Sequence, residues 1–113
     1  MNRLPERCCA ELERFLEPRL FQSLCDPARI AILSRLAVAD RELTVSEVSS
    51  GCGVHLSGAS RHLAILREAG VVSARKCGRQ VLYRANVTDL AATLRGLADA
   101  LEACGEIDVA VAS

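Results

Sequence analysis

A chain of 113 residues, half of them apolar, is long enough for one aliphatic core and short for two ordinary domains. Two Phe, one Tyr and no Trp favour helices over an aromatic-rich β-sandwich. The formal net charge is zero, which alone argues against nucleic acid, but residues 51–86 carry six Arg/Lys against one acid, Glu68. Residues 87–113 carry one Arg against five acids, so the positive charge is concentrated in the centre of the chain.

The opening MNRLPERCCAELERF contains no apolar run of the signal-peptide type, and no stretch approaches a membrane span. A cytoplasmic chain with reduced thiols is therefore expected. Six cysteines then read as core residues, metal ligands or redox sensors, not as a disulfide framework.

Taken in order, residues 6–17 read as a helix with Leu12, Phe15 and Leu16 on one face. Pro18 interrupts or restarts it, and Leu20, Phe21 and Leu24 continue an apolar face. Asp26-Pro27 is a helix start, with Asp26 as cap and Pro27 at the first helical position. That helix runs to about Val38, with Ile30, Leu33 and Leu36 turned to the core and Ile32 as a further candidate. Ala39 to Glu42 reads as a polar loop.

Thr44-Val45-Ser46-Glu47 has the form of a capping box and opens a short helix ending by Ser50. Gly51-Cys52-Gly53 makes the turn. A second helix follows over about Leu56 to Ala69, with Leu63 and Leu66 inward and Gly70 as its stop. Val71 to Arg75 and Gln80 to Ala85 are β-rich runs joined across Lys76 to Arg79, with Gly78 marking the turn. Asn86 or Thr88 caps a last helix that ends at Gly105, ahead of a frayed tail. Leu90, Leu94, Leu97 and Leu101 recur along that helix at coiled-coil-like spacing, suited either to a partner helix or to the chain's own core.

The predicted class is thus mainly α with a small β-hairpin: a winged helix-turn-helix in one domain, 1–113. The helix-turn-helix spans about 44–69 and the wing about 71–85. No catalytic constellation surrounds any cysteine, and both histidines lie on or beside the second helix of the pair, so no enzyme is expected.

At Leu24-Cys25-Asp26-Pro27-Ala28-Arg29, and again at Ser60-Arg61-His62-Leu63 through Val72, the chain resembles the ArsR/SmtB family of small winged-helix repressors. The resemblance covers roughly residues 12–103. It implies about five helices and a hairpin, and a homodimer formed through the first and last helices, here about 6–24 and 87–103. It also implies binding to a palindromic DNA operator, with the second helix in the major groove and the wings on the flanking backbone. Mapped onto this chain, Ser57, Ser60, Arg61 and His62 become the candidate contacts of the recognition helix. Arg75, Lys76, Arg79 and Gln80 become those of the wing. The chemistry suits the types: short hydroxyls permit close approach, Arg can be bidentate to guanine, and wing cations neutralise phosphates. Two positions depart from the family pattern, Leu56 where Gln is frequent and Gly58 where a larger residue is frequent.

The family's thiol sensor occupies positions that here read Thr44 and Ser46, and its zinc site needs histidines that this chain lacks after His62. Any thiol sensing must use other cysteines. Adjacent Cys8 and Cys9 form a disulfide only with strain, but near a helix start they can converge on one large soft ion. Trivalent arsenic or antimony, an organic arsenical or Hg(II) would suit such thiolates. Arsenic takes three thiolates, so a third sulfur is needed, and some arsenic-responsive family members combine an N-terminal vicinal pair with a distant thiol. Cys52, in the turn before the recognition helix, is the candidate third ligand. Cys104 is its competitor, Cys25 is expected in the core, and Cys77 sits at the wing tip between Lys76 and Arg79. The expected function is a dimeric repressor released from its operator by such an ion. A redox- or persulfide-sensing repressor using a Cys–Cys link is the alternative, and a thiol-rich metal-binding protein with no DNA role is the alternative of another class.

Overall fold

The computed structural model describes the backbone of residues 3–112 and the side chains of residues 9–105. Its elements are α1 (Arg3–Phe15), α2 (Pro18–Ser23), α3 (Pro27–Val38), β1 (Leu43–Thr44), α4 (Val45–Cys52), α5 (Leu56–Glu68), β2 (Val72–Cys77), β3 (Gln80–Ala85) and α6 (Val87–Ala112). Pro18–Val87 forms one compact unit, and residues up to Glu17 and from Thr88 form the other.

Within the first unit, α3 starts as its sequence directs. Asp26 is the N-cap, its carboxylate accepts from the Ala28 amide at 2.7 Å, and Pro27 opens the helix. That hydrogen bond holds the Asp26 carboxyl below its ordinary value of 3.8. Ile32 and Leu36 are the buried residues of α3, one turn apart, whereas Ile30 is 49% exposed. The expectation for Ile30 is corrected by helix geometry: it lies two residues, hence about 160° around the axis, from Ile32, and both cannot face one core.

The capping box forms in full. Thr44 Oγ1 accepts from the Glu47 amide at 3.2 Å, and the Glu47 carboxylate accepts from the Thr44 amide at 2.9 Å. Arg41 adds a bidentate contact to the same carboxylate at 2.6 and 3.1 Å. Thr44 also belongs to β1, an unexpected strand that directly follows the expected polar loop of Ala39 to Glu42. Its extended backbone (φ −81°, ψ 165°) suits an N-cap and a strand equally. β1 pairs antiparallel with β3 through Leu43–Tyr83 and Thr44–Leu82, giving a three-stranded sheet in the order β1-β3-β2.

Three further boundaries differ from the sequence reading. α4 continues through Gly51 and Cys52, because only Gly53 takes the left-handed conformation (φ 66°) that ends it. The hairpin strands run on through Lys76 and Cys77, leaving a two-residue turn at Gly78-Arg79 closed by the Cys77–Gln80 pair. α6 passes through Gly105 to Ala112, since a helical glycine costs only about 1 kcal/mol relative to alanine and stops nothing by itself. With α1 ending before Pro18 and α2 starting at it, the described residues form six helices beside the implied five.

In the second unit the Phe15 ring lies against Gly96, where an added Cβ would overlap it, so α1 and α6 meet at a glycine. Ala100 is buried there, while Leu94 and Leu101 of the leucine stripe are 42% and 51% exposed. Among the described residues no helix is long and apolar enough to cross a membrane.

The capping box carries a pH signature. Contacts from Arg41 and from the Thr44 amide hold the Glu47 carboxyl down to about 2 from an ordinary value of 4.5. Its stabilising contribution is complete above pH 4.5 and disappears as pH falls through about 2. In acid titrations followed by far-UV circular dichroism, Glu47→Gln is less stable at neutral pH and loses less stability over that window than the parent chain.

Candidate nucleic-acid interface

The site is built from α5 outward. Ala59, Leu63 and Leu66 are fully buried, at spacings of four and three residues, and form the inner stripe of the helix. The 100° step per residue then places Ser57 and Arg61 opposite that stripe, with Ser60 and Leu56 on its flank. All four are exposed. The only acid of this helix, Glu68, stands at its far end, about 18 Å along the axis from Leu56. The N-terminal half therefore presents hydroxyls, one guanidinium and no carboxylate.

Both ends of α5 are fixed by backbone hydrogen bonds. Before it, Val54 N–H and Gly53 N–H both reach the Ser49 carbonyl, and Ser49 Oγ donates to the Val54 carbonyl. After it, Val71 N–H reaches Leu66 O and Gly70 N–H reaches Arg67 O, each at 3.0 Å, with Gly70 at φ 80°. This is a Schellman motif, and its C″ residue Val71 is buried with Leu66. His55, at the N-cap, makes no side-chain capping bond, so the leading amides of α5 keep donors for an external acceptor.

His62 is half-buried on the inner flank. Arg29 Nη1 approaches its Nδ1 at 3.3 Å, while Arg29 Nε donates to the Ser23 carbonyl at 2.7 Å and Nη2 to the Gln22 carbonyl at 3.3 Å. Guanidinium can only donate, so Nδ1 accepts and the imidazole proton sits on Nε2. Sequence reading singled out Arg29 as part of a motif without assigning it this task, which needs α2, α3 and α5 packed together.

In the wing, Lys76 and Arg79 are exposed beside Gln80. Arg75 is different. Its Nε lies 2.9 Å from both Glu42 carboxylate oxygens and its Nη2 lies 2.7 Å from one of them. The register explains how: Arg75 and Thr44 both pair with Leu82, so the Arg75 side chain crosses β3 to the residue preceding β1. The Arg75 contact holds the Glu42 carboxyl below its ordinary value. Glu42 was not recognisable as a site residue because the pairing depends on β1.

The cysteines fall on both units. Cys52 ends α4, half-buried, and its Sγ donates to the Ala31 carbonyl at 3.5 Å. Burial pushes its thiol up, partly offset by the Arg35 cation. Cys25 is exposed, with Sγ donating to the Phe21 carbonyl at 3.1 Å, which corrects its expected place in the core. Cys77 is exposed at the end of β2, Cys9 is exposed on α1, and Cys104 is half-buried on α6. The Cys8 side chain lies outside the described residues. Among the described residues no three His, Cys, Asp or Glu side chains gather into a metal-holding group.

Comparison with known proteins agrees with this geometry. A helix-turn-helix domain family model matches residues 24–73. The chain is 41% identical over 80 residues to the uncharacterised HTH-type transcriptional regulator Rv0081 of Mycobacterium tuberculosis, covering 70% of this chain and 68% of the relative. It is 42% identical over 65 residues to the HTH-type transcriptional repressor SmtB of the same species, covering 58% of this chain and 47% of the repressor. Among solved structures, an ArsR-like transcriptional regulator from Rhodococcus sp. RHA1 superposes with a TM-score of 0.72 at 29% identity, covering 90% of this chain and 89% of that one.

The Glu42–Arg75 pair makes a measurable difference to any duplex DNA contact of the wing. Glu42→Gln releases Arg75 for a phosphate and steepens the plot of log affinity against log salt by about one unit. In the parent chain, Arg75→Ala lowers affinity less than Arg79→Ala, both read by fluorescence anisotropy on one duplex.

Proposed function

Because the chain belongs to the ArsR/SmtB family of winged helix-turn-helix transcriptional regulators, we propose that it is a homodimeric repressor gripping a palindromic operator through α5 and the wing. The observation that carries this reading is the exposed N-terminal half of α5, where Ser57, Ser60 and Arg61 face outward with no acid beside them. In the major groove Arg61 can pair with guanine O6 and N7, while the serines hydrogen-bond to bases or phosphates. His62 Nε2–H adds a donor at the flank. Lys76, Arg79 and Gln80 serve the backbone beside the groove, together with the part of Arg75 that Glu42 leaves open. Exposed Leu94 and Leu101 on α6 supply apolar surface for a second copy, so the dimerisation segments remain about 6–24 and 87–103, flanking the helix-turn-helix of 44–69 and the wing of 71–85.

The inducer is proposed as a thiophilic ion: As(III), Sb(III), an organic arsenical or Hg(II), held by Cys8, Cys9 and Cys52. Such an ion, when bound, supplies soft coordination that replaces thiol protons. What supports Cys52 is its place. Its sulfur leans on the Ala31 carbonyl from the last turn of α4, one residue before the Gly53 turn that aims α5. Drawing that sulfur elsewhere breaks the contact with α3 and disturbs the turn. The raised thiol pKa keeps Cys52 protonated in the absence of a ligand, so binding releases a proton and strengthens as pH rises. By linkage, operator DNA weakens the ion's affinity by the factor with which the ion weakens DNA.

Release of operator DNA by arsenite, phenylarsonous acid and Hg(II), measured on reduced protein with single Cys→Ser variants at all six positions, tests this reading. Cys8→Ser, Cys9→Ser and Cys52→Ser abolish release, and Cys25→Ser and Cys77→Ser retain it. Loss at Cys104 in place of Cys52 would move the third ligand. No release by any of the three compounds would rule out the thiophilic inducer.

A further inference from the structure

The leading end of the α5 face carries one exposed apolar side chain among polar ones. Leu56 is the first residue of the helix and is 51% exposed, in a stretch otherwise lined by Ser57, Ser60 and Arg61. It shares its side of the helix with Ser60, one turn on, and immediately precedes Ser57. The leading residues of a recognition helix are those that reach base edges. Gly58 adds no side chain to this first turn, and the uncapped amides there can take a phosphate, which keeps the end of the helix close to the duplex.

Resting on the DNA-binding reading above, we infer that Leu56 is a specificity-determining residue that packs against the C5-methyl of a thymine in each operator half-site. Its side chain has no donor or acceptor, so it cannot read guanine, cytosine or the polar edge of adenine. In the major groove the thymine methyl is the apolar feature that distinguishes one base pair from the others. Arg61, one turn and one residue further along, remains free to read a guanine on the same half-site. The half-site is therefore expected to require a thymine at the position under Leu56 and a guanine under Arg61. A polar residue at the position of Leu56 would read hydrogen bonds there instead. Exposed Ile65, on the same helix, is nine residues from its leading end and takes no part in this contact.

The test begins by selecting duplexes bound by the full chain from a random library. Each thymine of the enriched site is then replaced by deoxyuridine, which removes the methyl and leaves the hydrogen-bonding edge unchanged. Anisotropy at fixed salt reads the affinity of the parent chain, Leu56→Ala and Leu56→Gln. One thymine per half-site should cost the parent about fourfold when its methyl is removed, and roughly fifteenfold when both half-sites are changed. Leu56→Ala and Leu56→Gln should both lose that response while keeping the parent's thermal midpoint, since the residue is exposed. Equal deoxyuridine responses in the parent and both variants at every position would overturn the inference, leaving the DNA-binding reading intact. Failure to enrich any duplex would overturn both.

Discussion

The outward face of α5 depends on Ala59, Leu63 and Leu66 leaving water together. Each leucine contributes about 1.5–3 kcal/mol by full burial, and the three share one narrow stripe of α5. Once that stripe is turned inward, the helical repeat leaves no freedom in what faces outward. Turning the helix by one residue would drive Ser60 or Arg67 toward the core, with unpaired polar groups to desolvate. The outward set of Leu56, Ser57, Ser60 and Arg61 is thus the remainder of a packing decision. This is why a core of plain aliphatic residues, with no aromatic ring among its fully buried members, can define a recognition surface.

The helix is also held lengthwise. Gly53 and Ser49 fix its entry, the Gly70 Schellman motif fixes its exit, and Arg29 holds His62 from the side. Asn86 then joins the hairpin to that exit, accepting from Ser73 Oγ at 2.6 Å and donating to the Gly70 carbonyl at 2.8 Å. Asn86, which the sequence offers as a helix cap, stands directly before α6 and also couples wing to recognition helix. An arrangement fixed in this way meets DNA with little ordering left to do, and a disturbance at Cys52 acts on a turn that has few alternative positions.

Much of this was legible in the sequence where local chemistry and tertiary structure ask for the same residue. Asp26-Pro27, the Thr44–Glu47 box, Leu63, Leu66, Gly70 and the hairpin are of this kind. The misses arose where a residue serves two purposes or where long-range pairing decides. Thr44 looked only like a cap, so β1 was hidden, and with β1 went the Glu42–Arg75 pair that lowers the free charge of the wing. Ile30 and Ile32 are chemically identical, and the core chose the one in phase with Leu36. Gly105 carried a stop signal that glycine gives only when its φ turns positive, which it does not do here. The proposed cysteine site is the least legible part, because no local pattern links residues as far apart in sequence as Cys9 and Cys52, and the two lie in different units.

The most direct measurement of the central claim is a titration of isotopically labelled protein with operator duplex, read as amide chemical-shift changes residue by residue. The largest changes are expected at Leu56 to Ala64 and at Lys76 to Gln80, with small ones along the outer face of α3 around Ile30 and Val38. Changes concentrated on α3 or α6, with α5 and the wing turn unmoved, would contradict that claim.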